Sequence, residues 1–223
     1  MVEKLHYIDR WLESAGYLDM LINTVKDDLF PLRGKDQGGC TDGGAPHAIS
    51  REFSCYVDYL GALYTGWAEW NKSSDRFAEY LKAVLGEINK AYRQHADLIR
   101  EMYRNGPVHE FDPKVVFNSS GDKCGWLASV GTSPGCHDFG DGQKIQVYNL
   151  TIVAHPNIPK VYWLPVFTSE LLDDLIKSIN LFKNGVGDLT ARVICWNRAV
   201  GILNNPVRFN RFVPPKMPLR NSF

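Results

Sequence analysis

The sequence predicts a mainly α-helical domain carrying a small antiparallel β-sheet, inserted into or appended to a helical bundle, α+β overall. Two observations predict it. Apolar residues recur at spacings of three and four through most of the first hundred positions and again after residue 168, the period of amphipathic helices. Between about 114 and 167 the pattern changes to short runs of valine, isoleucine and aromatics separated by turn formers, which reads as strands. A third observation sets the scale: 223 residues with 44% hydrophobic and 22% charged content suit one globular domain spanning 1–223.

The first element is a helix over residues 1–30, with Leu5, Ile8, Trp11, Leu12, Ala15, Leu18, Ile22, Val25 and Leu29 on one face. Pro31 closes it, and the glycine-rich segment 31–48 reads as a mobile loop. Helices resume over 49–105. Ser50 is the expected N-cap of the second, whose face carries Phe53, Val57, Leu60 and Tyr64. Ser73 or Ser74 is the expected cap of the third, through Phe77, Leu81, Val84 and Ile88, and a fourth runs from about Tyr92 to Tyr103. Gly106 and Pro107 end it, because proline cannot continue a helix.

The small sheet is expected over about 114–167, from the segments KVVFN, GWLASVG, KIQVYNLTIVAH and KVYWLPVF. C-terminal helices follow over about 168–204, starting at Thr168 or Ser169 with the stripe Leu171, Leu172, Leu175, Ile176, Ile179 and Phe182. The proline-rich tail 205–223 reads as extended and basic.

Net charge is zero, which excludes a protein that coats nucleic acid by bulk attraction. The charge is unevenly spread. After Asp188 no acid occurs, while Arg192, Arg198, Arg208, Arg211, Lys216 and Arg220 give the C-terminal stretch six positive charges, balanced by an acidic excess of six up to Asp188. No run is apolar for long enough to span a membrane. The first residues, MVEKLHYIDRWLES, lack the apolar core of a secretory signal, and five scattered cysteines do not suggest a disulfide framework. Cytoplasmic residence is the expectation.

The segment that can carry chemistry is Arg104 to His109, RNGPVH, at the end of the fourth helix. Histidine moves protons near neutral pH, and a guanidinium presents paired donors to phosphate oxygens. Cleavage of RNA by its own 2'-hydroxyl needs both, with proton transfer at the attacking and leaving oxygens and positive charge on the phosphorane. The spacing alone is what chance supplies about once in a chain of this composition. Asn105 and the preceding helix add weight.

This arrangement resembles the Arg-x4-6-His signature of the HEPN superfamily, many of whose ribonucleases carry a polar residue directly after the arginine, and the longer phrase is similar to stand-alone bacterial members of unassigned function. The resemblance implies an HEPN-like helical bundle, a homodimer with two Arg-His pairs facing one substrate, and a metal-independent endoribonuclease without a cofactor. Arg104 and His109 would be catalytic, and Asn105 would orient the histidine or the phosphate. By analogy the setting would be a toxin with an antitoxin partner, or phage defence. The alternative is a non-catalytic helical module binding RNA, a nucleotide or a protein. An enzyme of another class, with a ligand pocket near Trp67, is a third reading.

Two further groups of residues offer other chemistry. Arg208 and Arg211 interleave with Phe209 and Phe212, a pattern that can contact phosphate and stack bases or simply pack its rings and leave its charges wet. Cys124, Cys136 and His137 could offer metal ligands, but without a Cys-x2-Cys knuckle they read as separate side chains in the sheet region, and no metal is expected.

Overall fold

The computed structural model describes residues 15–33, 35–37, 40–42, 45–67, 70–104, 114–140, 142, 144–184, 194–195 and 198. Helix α1 (Ala15–Thr24) continues into a π turn over Val25–Leu29. Within the expected glycine-rich loop, β1 (Lys35–Gln37) and β2 (Cys40–Asp42) pair antiparallel. Helix α2 (Pro46–Thr65) begins earlier than its sequence suggests. Pro46 sits in its first turn, where the fixed φ suits a helix and no N–H is missed; Ser50, the expected cap, is buried inside.

Helix α3 (Ser73–Tyr80) runs on through a π turn at Leu81–Leu85 and a last turn at Gly86–Ile88. Ser73 does not cap it; its hydroxyl donates to Asp58 Oδ1 at 3.1 Å. Asn89 then caps α4 (Lys90–Ile99), its side chain accepting from the Ala91 N–H at 3.0 Å. A π turn over Arg100–Arg104 extends α4.

The helices converge on α2, whose Ile49, Phe53, Val57, Leu60 and Leu63 are fully or almost fully buried. Phe53 stacks on Tyr92 of α4 at 6.4 Å. Tyr64, Tyr80 and Phe182 form an edge-on triad with centroids 6.2–6.3 Å apart, and Tyr56 and Tyr59 also pack against the core. Between α2 and α3, Arg76 lies 6% exposed. Its Nε and a terminal nitrogen grip Asp58 at 3.0 and 2.6 Å, and its other terminal nitrogen donates to the Trp67 carbonyl at 3.0 Å.

The sheet overturns the expectation of a helical bundle with a small antiparallel sheet. Strands β3 (Val116–Phe117), β4 (Lys123–Ser129), β8 (Val161–Phe167) and β7 (Val153–Ala154) form one sheet in the order β3-β4-β8-β7. Its central pair, β4 and β8, is parallel, in register from Lys123 opposite Val161 to Ser129 opposite Phe167. The outer pairings are antiparallel. A separate hairpin, β5 (Gly135–Asp138) with β6 (Lys144–Val147), occupies the connection between β4 and β8.

The physical reason lies in burial on both faces of the sheet. Leu164 and Val166 of β8 join the helical core, whereas Phe167 and Trp163 pack with Leu127, Val147, Phe139 and Ile145 under the hairpin. A strand covered on both sides reads as a continuous apolar run, as VYWLPVF does, and such strands are typical of parallel pairing. Helix α5 (Thr168–Asn184) follows β8 without a loop and lays Leu171, Leu172, Leu175, Ile179 and Phe182 into the helical core.

Candidate functional site

Arg104 is the last residue of the π turn that ends α4. Asn105 and His109 lie outside the described residues, as do Arg208, Phe209, Arg211 and Phe212. What is described is the frame around RNGPVH. The Lys114 N–H donates to the Met102 carbonyl at 3.1 Å, so the chain leaves α4 and returns to β3 at one place. Met102 is fully buried, which anchors that junction. The π winding is not distinctive by itself, although π turns recur at functional sites: the turns at Val25–Leu29 and Leu81–Leu85 also place buried residues in the core.

Beside this junction runs a groove of about 500 Å³ between α4 and the β3–β4 edge. Leu98, Val116, Ile152 and Tyr162 supply apolar surface, and Asp97, Glu101, Asp122 and Lys123 add charge. Phe117 stands 64% exposed at its edge, with the Lys123 ammonium 5.6 Å over its ring. Cys124 also lines the groove, and burial pushes its thiol up to about 11.

A second, polar cavity of about 540 Å³ lies between the start of α4 and the first turns of α5, lined by Asn89, Lys90, Glu170, Asp173, Asp174 and Lys177 among others. Asp174 is buried. It accepts from the Tyr92 hydroxyl at 3.2 Å and from Lys177 Nζ at 3.3 Å. Burial raises its carboxyl above the usual range, against the lowering effect of Lys177 and of these hydrogen bonds, with Glu170 nearby adding a smaller raise. Sequence reasoning passed over this group. The signal was present, since Asp174 and Ser178 stand one helical turn apart on the stripe that otherwise carries leucines.

Among the described residues no group of three or more histidines, cysteines and acids could hold a metal ion. Cys136 and His137 are neighbours on β5 and therefore project to opposite faces. The His137 ring packs edge-on against Phe139 at 4.7 Å, and burial lowers its pKa despite the opposing charge of Asp138. His155, whose ring lies 5.1 Å from that of Phe139, accepts the Asn157 and Ile158 N–H groups at Nδ1, each at 3.1 Å. Nδ1 is thereby an acceptor, and the neutral ring carries its proton on Nε2.

No described helix is long and apolar enough to cross a membrane. Comparison of the chain with protein families, with curated proteins and with solved structures found no match.

Proposed function

We propose that this chain is a metal-independent endoribonuclease that cleaves RNA by attack of the 2'-hydroxyl, with Arg104, Asn105 and His109 as its catalytic set. The observation that carries the reading is the closure at the end of α4. With Lys114 bonded to the carbonyl of buried Met102, Arg104 and His109 belong to one short stretch of sequence whose two ends are tied together, the kind of footing a catalytic pair needs. The motif-level resemblance to HEPN ribonucleases supports the same assignment. His109 exchanges the proton of the 2'-hydroxyl or of the leaving oxygen, Arg104 stabilises the charge gathering on the phosphorane, and Asn105 orients one or the other.

Arg208, Phe209, Arg211 and Phe212 hold the RNA by phosphate contact and base stacking. The carboxylates of the α4 groove disfavour it as the phosphate path. In this reading the working form is a cytoplasmic homodimer, restrained by an antitoxin or triggered during phage infection.

Purified protein is expected to cut RNA in EDTA and leave 2',3'-cyclic phosphate ends. Arg104→Ala and His109→Ala should each lower the rate by at least about a hundredfold, as loss of one acid-base or charge-stabilising group does, with unchanged melting temperature. Cleavage at the parent rate by both variants would remove the assignment, and RNA binding without cleavage by the parent would leave a binding module.

A further inference from the structure

We propose that the groove between α4 and the β3–β4 edge is the seat of the chain's own C-terminal segment Arg208–Phe212. Its phenylalanines would lie on the apolar floor and its guanidiniums against Asp97, Glu101 and Asp122. Three observations converge on this occupant.

The first is unspent apolar surface. Phe117 is 64% exposed, Val115 53% and Ile152 38%, and Phe117 belongs to a two-residue strand at the open edge of the sheet. Large apolar side chains grouped beside a groove mark a contact surface more often than isolated ones do.

The second is charge. Three carboxylates and one lysine line the groove, while the segment carries two arginines in a stretch of chain that holds no acid after Asp188. Asp97 already meets Lys82 at 3.5 Å and Arg100 at 3.4 Å, and Glu101 meets Arg100 at 3.1 Å. The carboxylates of these pairs are exposed, at 64% for Asp97 and 50% for Glu101, while Arg100 is half-buried, and solvent-screened pairs of this kind are weak. A guanidinium held between carboxylate and aromatic ring gains more than a hydrated lysine does. A phosphate chain would meet repulsion in the same place, which sets the groove against RNA.

The third is reach. The backbone at Cys195 lies against Gly66, close enough that a Cβ there would come within 3.0 Å of the Cys195 Cα. Gly66 terminates α2. The first turn of that helix touches the sheet, where the His47 ring meets Trp126 of β4 at 5.2 Å. The 20 residues of α2 span about 30 Å, and the 13 steps from Cys195 to Arg208 can extend about 43 Å, so the segment can reach the β4 end. Arginines three apart and phenylalanines three apart separate onto two faces of a chain with three residues per turn, the winding that nearby Pro206, Pro214 and Pro215 favour.

Seated in this way, the segment is withdrawn from RNA, so docking and substrate binding compete. The inference does not depend on nuclease activity. In the full-length protein, Phe117 is replaced by the photo-crosslinker p-benzoylphenylalanine, the sample is irradiated without RNA, and crosslinked peptides are mapped by mass spectrometry. Crosslinks within one chain from position 117 to residues 206–213 are expected. They should disappear in Arg208→Glu/Arg211→Glu and return when Asp97→Lys, Glu101→Lys and Asp122→Lys are added, with circular dichroism confirming that each variant is folded. Absence of that crosslink overturns the proposal. So do crosslinks found only between two chains, which assign the seat to a second copy, and, in a parallel sample irradiated with single-stranded RNA, crosslinks from position 117 to the RNA in place of the segment.

Discussion

The two faces of the β4–β8 sheet are buried by different means. On one face Leu164 and Val166 meet a helical core in which Phe53, Leu60, Phe77 and Leu175 lie almost wholly out of water. On the other, Phe167 and Leu127 are covered by the two-stranded β5–β6 hairpin with half-exposed Phe139 and Trp163. A helix lays a wide stripe of side chains and holds its own backbone hydrogen bonds, whereas a short hairpin covers little and leans on the sheet beneath it. The helical face should therefore be rigid, and the hairpin face should yield locally.

The sharpest break of that comparison is Arg76→Ala, which leaves Asp58 facing a buried junction without its guanidinium. Loss of one partner of a buried pair costs about 3–5 kcal/mol, read as a lower denaturant midpoint. A near-parental midpoint would show that water enters between α2 and α3.

Next comes a matched pair of glycines. A Cβ on Gly61 would collide with the Arg76 carbonyl, which is backbone, whereas a Cβ on Gly125 would meet the Trp163 ring at 2.8 Å. Gly61→Ala should cost about 1–3 kcal/mol, the usual range for overpacking. Gly125→Ala should cost less, because a half-buried ring beneath a hairpin can turn aside. Equal losses in thermal melts would contradict the contrast between the faces.

A smaller effect concerns pH. Burial raises the Asp174 carboxyl above its ordinary value of 3.8, so the folded chain holds that proton more tightly than the unfolded one. Its contribution is present at low pH and is lost as pH rises from about 3.8 through the raised folded value. Asp174→Asn can still accept from Tyr92 but cannot ionise, and stability should then depend less on pH across that window, with the parent's slope unchanged if the assignment is wrong. His95 and His137 act in the opposite sense. Burial lowers both from 6.5, so each removes stability as pH falls below that value.

The smallest predicted effect is chemical. With its thiol pushed up to about 11, Cys124 should alkylate slowly at pH 8 and faster as pH approaches 11, followed by peptide mass spectrometry. Rapid labelling at pH 8 would mean that the pairing of β3 with β4 opens more than its packing implies.

Several local features were legible. The stripe Leu171 to Phe182 reads directly as the buried face of α5, and Phe53, Val57 and Leu60 as that of α2, because helical period and burial are short-range in sequence. Strand β5 was missed, since GCHD has one clear apolar side chain at most and owes its pairing to β6. The Arg76–Asp58 grip was equally hidden, spanning 18 positions and two helices. Of the proposed triplet Arg104, Asn105 and His109, only the position of Arg104 at the end of α4 and the closure at Met102 and Lys114 enter the described structure.

The sequence by itself determined the main helical stripes, the polarity of a chain that carries six positive charges after Asp188, and the placing of Arg104 at a helix end. Only the tertiary structure decided that β4 and β8 run parallel, that Asp174 sits buried beside Tyr92, and that an acid-rimmed groove opens at the β3 edge. Side-chain period is set within a few residues, whereas strand direction, burial of a charge and the shape of a cleft follow from which distant surfaces exclude water together.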